Sequence, residues 1–325
     1  MMSGFSRWVL RGAAAAVAAT VLHSVAAQAA DKVHAGKAVP IAWAFIPLDV
    51  GLQHGLFAKY GIDLDISSFA GDAQLQQALA SDSIDFGLGS GPAMAFVAKG
   101  APVIAVAAFA GAPRNISLIV SADSPVKSVA DMKGKLVAVT TVGSLTDWLA
   151  KRIGVQEGWG PGGLRTVALG SFSAFLAAAK THQIDGMMAA TEAGYTLEEK
   201  HQGRIIVGME KYAPNFITHV VFARKQLVQQ NPDLVRRFLK GFFASIAFMK
   251  ANKAATSAVA ESVLHQSPEV ASKTYDYEIA MLENDGHFDP QAIDVLKQSF
   301  IDMGMLKDKP ANDQLLTTQF LPVKP

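Results

Sequence analysis

The strongest constraint on the fold is an alternation. Short apolar runs and helix-patterned stretches follow one another from about residue 39 to residue 223, and after that the strand-like runs stop. Such alternation produces parallel strands joined by crossover helices, so the chain reads as α/β. The runs expected as strands are residues 39–45, 64–69, 84–88, 103–109, 116–120, 136–139, 166–169, 186–189, 205–207 and 219–223. Helix starts and stops are punctuated. Pro92 suits a first helical position and Lys99-Gly100 a helix end, while Asn231-Pro232, Ser267-Pro268 and Asp289-Pro290 each read as an N-cap followed by proline. Ile293, Leu296 and Phe300 then share one face of the last long helix.

An internal echo divides this pattern in two. LQQALASDSIDFGL begins at Leu75 and FLAAAKTHQIDGMM at Phe175, so that Ile84-Asp85 corresponds to Ile184-Asp185. Each stretch is a helix, a polar turn and a buried strand. Two similar α/β lobes are expected: 37–112 as the first part of lobe 1, 113–222 as lobe 2, and a helical part at 223–325 returning to lobe 1. Two chain crossings, near 109–115 and 216–222, would then form a hinge.

The 325 residues suffice for about two domains of roughly 100–200 residues each. With 29 Lys+Arg against 28 Asp+Glu there is no basic stripe for phosphates, which argues against nucleic acid as a partner. The chain contains no cysteine, so disulfides, thiol catalysis, iron–sulfur clusters and Cys-based zinc sites are excluded. Residues 1–29 have a separate logic. Arg7 and Arg11 precede an alanine-rich apolar stretch, and Ala27-Gln28-Ala29 forms a small-x-small motif, the layout of a cleaved secretory signal. The stretch falls short of the roughly 20 apolar residues of a membrane helix. The mature chain is therefore expected to be exported and nearly neutral.

Catalytic constellations are sparse. The eight histidines are scattered and none makes a metal-ligand spacing. His219, in an apolar run, reads first as a satisfied core residue. Ser90 and Ser144 lie outside any G-x-S-x-G elbow. Residues 87–92, GLGSGP, resemble a dinucleotide turn but carry proline in place of the third glycine. Asp63 and Asp65 alternate along a strand and read as solvated, and Arg236, Arg237 and Lys240 read as a solvated helix face. No cofactor, no metal and no enzymatic activity are expected.

Ligands of open α/β sheets bind beyond the carboxyl ends of strands, where helix N-termini offer free N–H groups. Five junctions fit: Phe45-Ile46-Pro47-Leu48, Gly89-Ser90-Gly91, the stretch from Thr141 through Gly143, Ser144 and Leu145 to Thr146, Gly170-Ser171-Phe172, and Thr191-Glu192. Ser90, Ser144 and Ser171 serve equally as plain N-caps. Phe45, Phe109 and Phe172 are either apolar walls of a cleft or core. Glu192 either meets a ligand cation or starts a helix. Arg114, at the hinge, either meets an anion or bridges the lobes.

Several stretches resemble a known family. Phe45–Leu48, Gly55-Leu56-Phe57 and Tyr60-Gly61-Ile62-Asp63-Leu64 are similar to the opening of periplasmic solute-binding proteins of ABC importers, in the subgroup for aliphatic sulfonates, taurine, nitrate and thiamine pyrimidine precursors. Gln77-Ala78-Leu79-Ala80-Ser81 with Ile84–Gly87, Lys99–Val103, Ser128–Lys135 and Asn231–Leu239 add to the resemblance, which covers nearly all of the mature chain. It implies a type II periplasmic binding fold of two lobes, a ligand cleft between them, an inner-membrane ABC permease as partner and a monomeric, periplasmic protein. A sulfonate-like anion or zwitterion ranks first as ligand, and a pyrimidine-like aromatic or an aromatic acid second. A secreted enzyme on the same fold, or a lobe pair serving a sensor or another transporter, are the alternatives. Asp49 and Thr191 depart from the family's frequent tyrosine and tryptophan.

Overall fold

Why the echo at a spacing of one lobe exists is visible in the strand order. The computed structural model describes residues 29–325, and the expected export signal falls outside them but for Ala29. The strands are β1 Asp31–Lys37, β2 Ile62–Ser68, β3 Phe86–Ser90, β4 Val103–Ala110, β5 Ile116–Ser121, β6 Leu136–Val139, β7 Arg165–Ala168, β8 Gly186–Ala190, β9 Gly203–Gly208 and β10 His219–Arg224. They form two five-stranded mixed sheets, ordered β2-β1-β3-β10-β4 and β7-β6-β8-β5-β9. In each sheet four strands run in one direction and one, β10 or β5, runs antiparallel to both of its neighbours.

The Ile-Asp pairs hold equivalent places. Ile84 and Ile184 are buried. The Asp85 N–H donates to the His34 carbonyl at 2.8 Å while its carboxylate accepts from the His34 N–H at 3.0 Å. Asp185 makes the same two bonds to Leu136, both at 2.8 Å. Each aspartate thus ties the start of one strand to the strand beside it. The turns ahead of them also match, for Asp82 and His182 both adopt the left-handed conformation, at φ 60° and 52°.

The helices are α1 Pro47–Gln53, α2 Asp72–Ala80, α3 Met94–Ala98, α4 Leu145–Gln156, α5 Phe172–Lys180, α6 Thr191–Glu199, α7 Lys225–Gln230, α8 Pro232–Ala251, α9 Lys253–Leu264, α10 Pro268–Glu278, α11 Pro290–Asp302 and α12 Asn312–Leu315. The proline-marked starts appear as expected. Asn231, Ser267 and Asp289 accept from the N–H groups of Leu234, Val270 and Ala292, which satisfies donors that a helix N-terminus leaves free. Ile293, Leu296 and Phe300 are buried on one face of α11.

The first expected strand is a correction. Residues 39–45 form no strand; β1 lies earlier, and Trp43–Phe45 make a 3-10 turn. The run Trp43–Ile46 is apolar because it is covered on all sides, and a short apolar run buried all round looks the same as strand or turn. Asp31–Lys37 offers only Val33, Ala35 and Gly36 to the core, yet it pairs with β2 along its whole length. The strand at 84–88 is likewise displaced to Phe86–Ser90. Arg237 is not a solvated residue: its guanidinium reaches Asp31 at 2.6 Å, Asp233 at 2.8 Å and the Tyr60 carbonyl at 3.2 Å, fastening α8 to the start of β1.

Helix α8 lies on α1 and the Ala58–Tyr60 turn, α12 on α3 and β4, and α11 on the Gly91–Ala93 turn. Helix α10 bridges α9 and α6. Aromatic rings unite the larger core: Phe86 stacks on Phe238 at 3.8 Å, and Phe242 meets Phe109 edge-on at 5.1 Å. The chain passes from the first sheet to the second between β4 and β5, and returns between β9 and β10. Gly91 touches the second passage so closely that a Cβ there would lie 2.0 Å from the Ile217 carbonyl oxygen.

Candidate functional site

The two passages meet in a polar pair within aromatic walls. Asn115, which ends the first passage, lies with its Nδ2 at 2.9 Å from Nε2 of His219, which ends the second. Both side chains are buried. Phe45 stands edge-on to the His219 ring at 4.8 Å, and Phe109 stacks on it at 5.7 Å. Burial holds the imidazole down to about 4, so it is neutral and accepts from Asn115. His219 is thus buried as its apolar run suggests but only half satisfied, since its Nδ1 has no hydrogen-bond partner among the described residues.

Above this floor, α6 starts at the carboxyl end of β8 and turns its first residues toward the first sheet. Thr191 is fully buried; its hydroxyl lies 2.7 Å from Ser117 Oγ and donates to the Arg114 carbonyl at 2.7 Å. Glu192 Oε1 accepts from the backbone N–H of Trp43 at 3.0 Å, a bond from one sheet's loops to the other's. Its carboxyl faces that of Glu278, and burial drives both upward, Glu278 well above the usual range. The Arg114 guanidinium lies over the Tyr277 ring at 5.4 Å.

The second sheet contributes a hydroxyl cluster. After β6, Thr140, Ser144 and Thr146 lie within 2.9–3.0 Å of one another through their side-chain oxygens. Ser144 caps α4. Asp147 accepts from the Gly143 N–H at 2.8 Å, from Thr166 at 2.8 Å and from Lys151 at 2.8 Å. Burial opposes its ionised form, but these bonds prevail and its carboxyl lies below the usual range. Gly143 takes φ 73°, which suits glycine, and next to it Thr141 and Val142 stand exposed. One turn into α4, Trp148 Nε1 donates to Asp302 at the end of α11 at 3.1 Å.

The first sheet's rim is already occupied by its own partners. Ser90 donates through N–H and Oγ to Asp72 at 2.9 and 2.7 Å. Lys37, at the end of β1, is paired with Asp49 of α1 at 3.0 Å, and both are largely buried. Pro47 and Leu48 are buried at the start of α1, and Gly89 lies within β3. The exposed Val39 and Ile41 follow β1.

The site residues named from sequence therefore fall into groups. Phe45, Phe109, Thr191, Glu192 and the Arg114 carbonyl converge near the two passages. Thr141, Gly143, Ser144, Leu145 and Thr146 form the cap of α4. Ser171 caps α5 in an exposed position, and Phe172 packs on Phe175 within the second lobe's own core rather than beside Phe45. Missed from sequence were Trp43, Asp72, Asn115, Ser117, Trp148, Glu278 and Asp302. Of these only Asn115 and Trp148 carried a signal, the one at the end of a hinge segment and the other on a helix after a serine cap.

Comparison with known proteins decides the family. A sequence profile of the family described as NMT1/THI5 like matches residues 43–255. The chain belongs to the NMT1/THI5-like family. A candidate binding protein of Brucella abortus is 26% identical over 206 residues, 62% of each chain, so the match spans less than two thirds of that relative. Among solved structures, this NMT1/THI5-like chain is similar to the periplasmic aliphatic sulphonate-binding protein SsuA of Escherichia coli, with TM-score 0.76, 18% identity, and 88% and 92% of the two chains covered. It is similar also to the alkanesulfonate-binding SsuA of Xanthomonas axonopodis, solved with MOPS, at TM-score 0.71, 19% identity, and 88% and 96% coverage. The desulfurization enzyme DszB shares the architecture at TM-score 0.64 and 15% identity, over 90% and 97% of the chains. At these identities the likeness is one of fold: the fold is that of periplasmic binding proteins.

Proposed function

We propose that this protein is the substrate-binding component of an ABC-type importer, exported to the periplasm, that closes its two lobes on a small organic anion or zwitterion and delivers it to a membrane permease. The observation that carries this reading is the placement of polar helix starts on two sheets that meet at paired chain passages. The α4 cap and the Thr191–Glu192 start of α6 lie at carboxyl ends of strands, where N–H groups and hydroxyls hold an anion without a formal cation. Lys37 and Lys151 are each bound to an aspartate. Closure by hinge bending suits two lobes joined by two passages. A sulfonate head group ranks first, in keeping with the sulfonate-binding relatives of this fold.

The chief alternative is an enzyme, since DszB has the same fold. A serine nucleophile would need a base within hydrogen-bond reach. Among the described residues, the Ser144 hydroxyl bonds only to hydroxyls and to the α4 backbone, and His219 bonds to Asn115. These partners favour binding over catalysis. The test is a thermal-shift screen of the chain from Ala30 onward against alkanesulfonates, taurine, nitrate, aromatic carboxylates and aminopyrimidines. A ligand at 100 times its Kd stabilises by about 2.7 kcal/mol. A sulfonate that raises Tm and is recovered unchanged supports the reading; consumption of the compound supports the enzyme.

A further inference from the structure

We propose that Glu192 and Glu278 form a proton-held clasp between the lobes, and that loss of the shared proton opens the cleft. Glu192 begins α6, which follows strand β8 of the second sheet. Glu278 ends α10, which rests on α9 and on the Trp43–Phe45 turn that leads into α1. Glu192 is 4% exposed and Glu278 is not exposed at all. Glu192 Oε1 holds the Trp43 N–H, but Glu192 Oε2 and both Glu278 oxygens have no donor among the described residues. A proton between the two carboxyls supplies the missing donor. Two carboxylates facing each other in an apolar seam do not both ionise while the seam stays closed.

Among the described residues, the surroundings offer no other means of neutralising the pair. Around it stand Tyr195 and Glu198 on α6, Lys273, Tyr275 and Tyr277 on α10, Glu210 beyond β9, Arg114 at the first passage, and His201 at the exposed end of the seam. Lys273 is taken by Glu198 at 2.7 Å, and Arg114 lies over Tyr277. Burial pushes Tyr195 up to about 12 and raises Tyr277 as well, so neither tyrosine ionises near neutrality. The Trp43–Phe45 turn carries no titratable side chain. Opening the seam lets water reach both carboxylates, which is how the second charge is accommodated.

The clasp rests on the two-lobe cleft of the proposed function but needs no ligand, so its failure is distinct from a failure to bind. Small-angle scattering of the ligand-free protein is measured from about pH 5 to about pH 9, the span over which buried glutamates lose their protons. The wild type is expected to expand as pH rises. Glu278→Gln, whose amide N–H donates permanently to Glu192, is expected to keep the compact radius throughout. His201→Gln is expected to expand as the wild type does. Identical profiles for wild type and Glu278→Gln, whether flat or rising, would overturn the clasp. If Glu278→Gln does not fold, Glu192→Gln makes the same comparison, since its amide donates to Glu278 and its oxygen still accepts from Trp43.

Discussion

Trp148 and Asp302 join the two lobes beside the second chain passage. The indole Nε1 of α4 donates to Asp302 Oδ2 at the end of α11 at 3.1 Å, while the ring stacks on Phe216 at 4.6 Å and Arg152 lies over its face at 5.6 Å. Gly143 sits beside the same helix end, its missing Cβ 3.8 Å from the Met303 carbonyl. One directional bond thus links α4, beside the second sheet, to α11, which rests on the first.

Trp148→Phe keeps the stacking and removes the donor. Closure loses a hydrogen bond to a charged group, about 1.5–3 kcal/mol. Affinity for the ligand found in the thermal-shift screen is expected to fall about ten-fold or more, read by calorimetry, while Tm without ligand shifts little. Unchanged affinity would remove this bond from the closing motion.

His219 makes stability sensitive to acid. Its pKa is about 4 folded against 6.5 unfolded, so the unfolded chain binds the proton first and stability declines as pH falls from about 6.5 through about 4. The full loss is about 3 kcal/mol at 1.36 kcal/mol per pKa unit. Urea unfolding at neutral and acid pH is expected to show a smaller decline for His219→Gln than for the wild type. The raised carboxyls of Glu192 and Glu278 work in the opposite sense, losing stability as pH rises, so the difference between the two proteins isolates the histidine.

The two Ile-Asp turns allow a matched comparison. Asp85 and Asp185 make the same backbone bonds, but Asp85 is also bound to Arg224 at 2.5 Å with both side chains under 20% exposed, whereas Asp185 meets the half-exposed Lys135 at 3.3 Å. Asp185→Ala is expected to cost about 1–2 kcal/mol for the lost acceptor. Asp85→Ala is expected to cost about 1 kcal/mol more, since it also removes one of the two carboxylates that Arg224 holds and leaves that cation with Asp82 alone. Equal losses in urea titrations would mean that Arg224 gains nothing from Asp85.

Gly91→Ala tests the contact between a strand end and a passage. The new Cβ would meet backbone oxygen at 2.0 Å, so one of two backbones has to shift. A loss of about 3 kcal/mol is expected. Gly162, where nothing lies within 4 Å of an added Cβ, is the control: Gly162→Ala is expected to leave Tm unchanged or slightly raised.

Much of the fold was legible because its signals are local. Nine of the ten expected strands overlap an observed one, and the proline-marked caps at Asn231, Ser267 and Asp289 hold the helices they announce. Capping needs only residues within one turn of each other. The Ile-Asp echo was readable for the same reason, as it repeats a turn and the strand beside it. Strand β1 was not, because its place depends on pairing with β2 and β3 rather than on its own sparse apolar residues.

The sequence by itself determined that this is an α/β chain of two similar lobes with polar helix starts at its strand ends. Local periodicity and capping chemistry suffice for that. The partners that join the two lobes were decided only by the tertiary structure. Trp43 N–H meets Glu192 across 149 residues and Trp148 meets Asp302 across 154. Nothing in the neighbourhood of a glutamate or tryptophan announces which distant helix end will face it. That is set by how two separately formed sheets are joined through two passages, and so by the geometry of the whole chain.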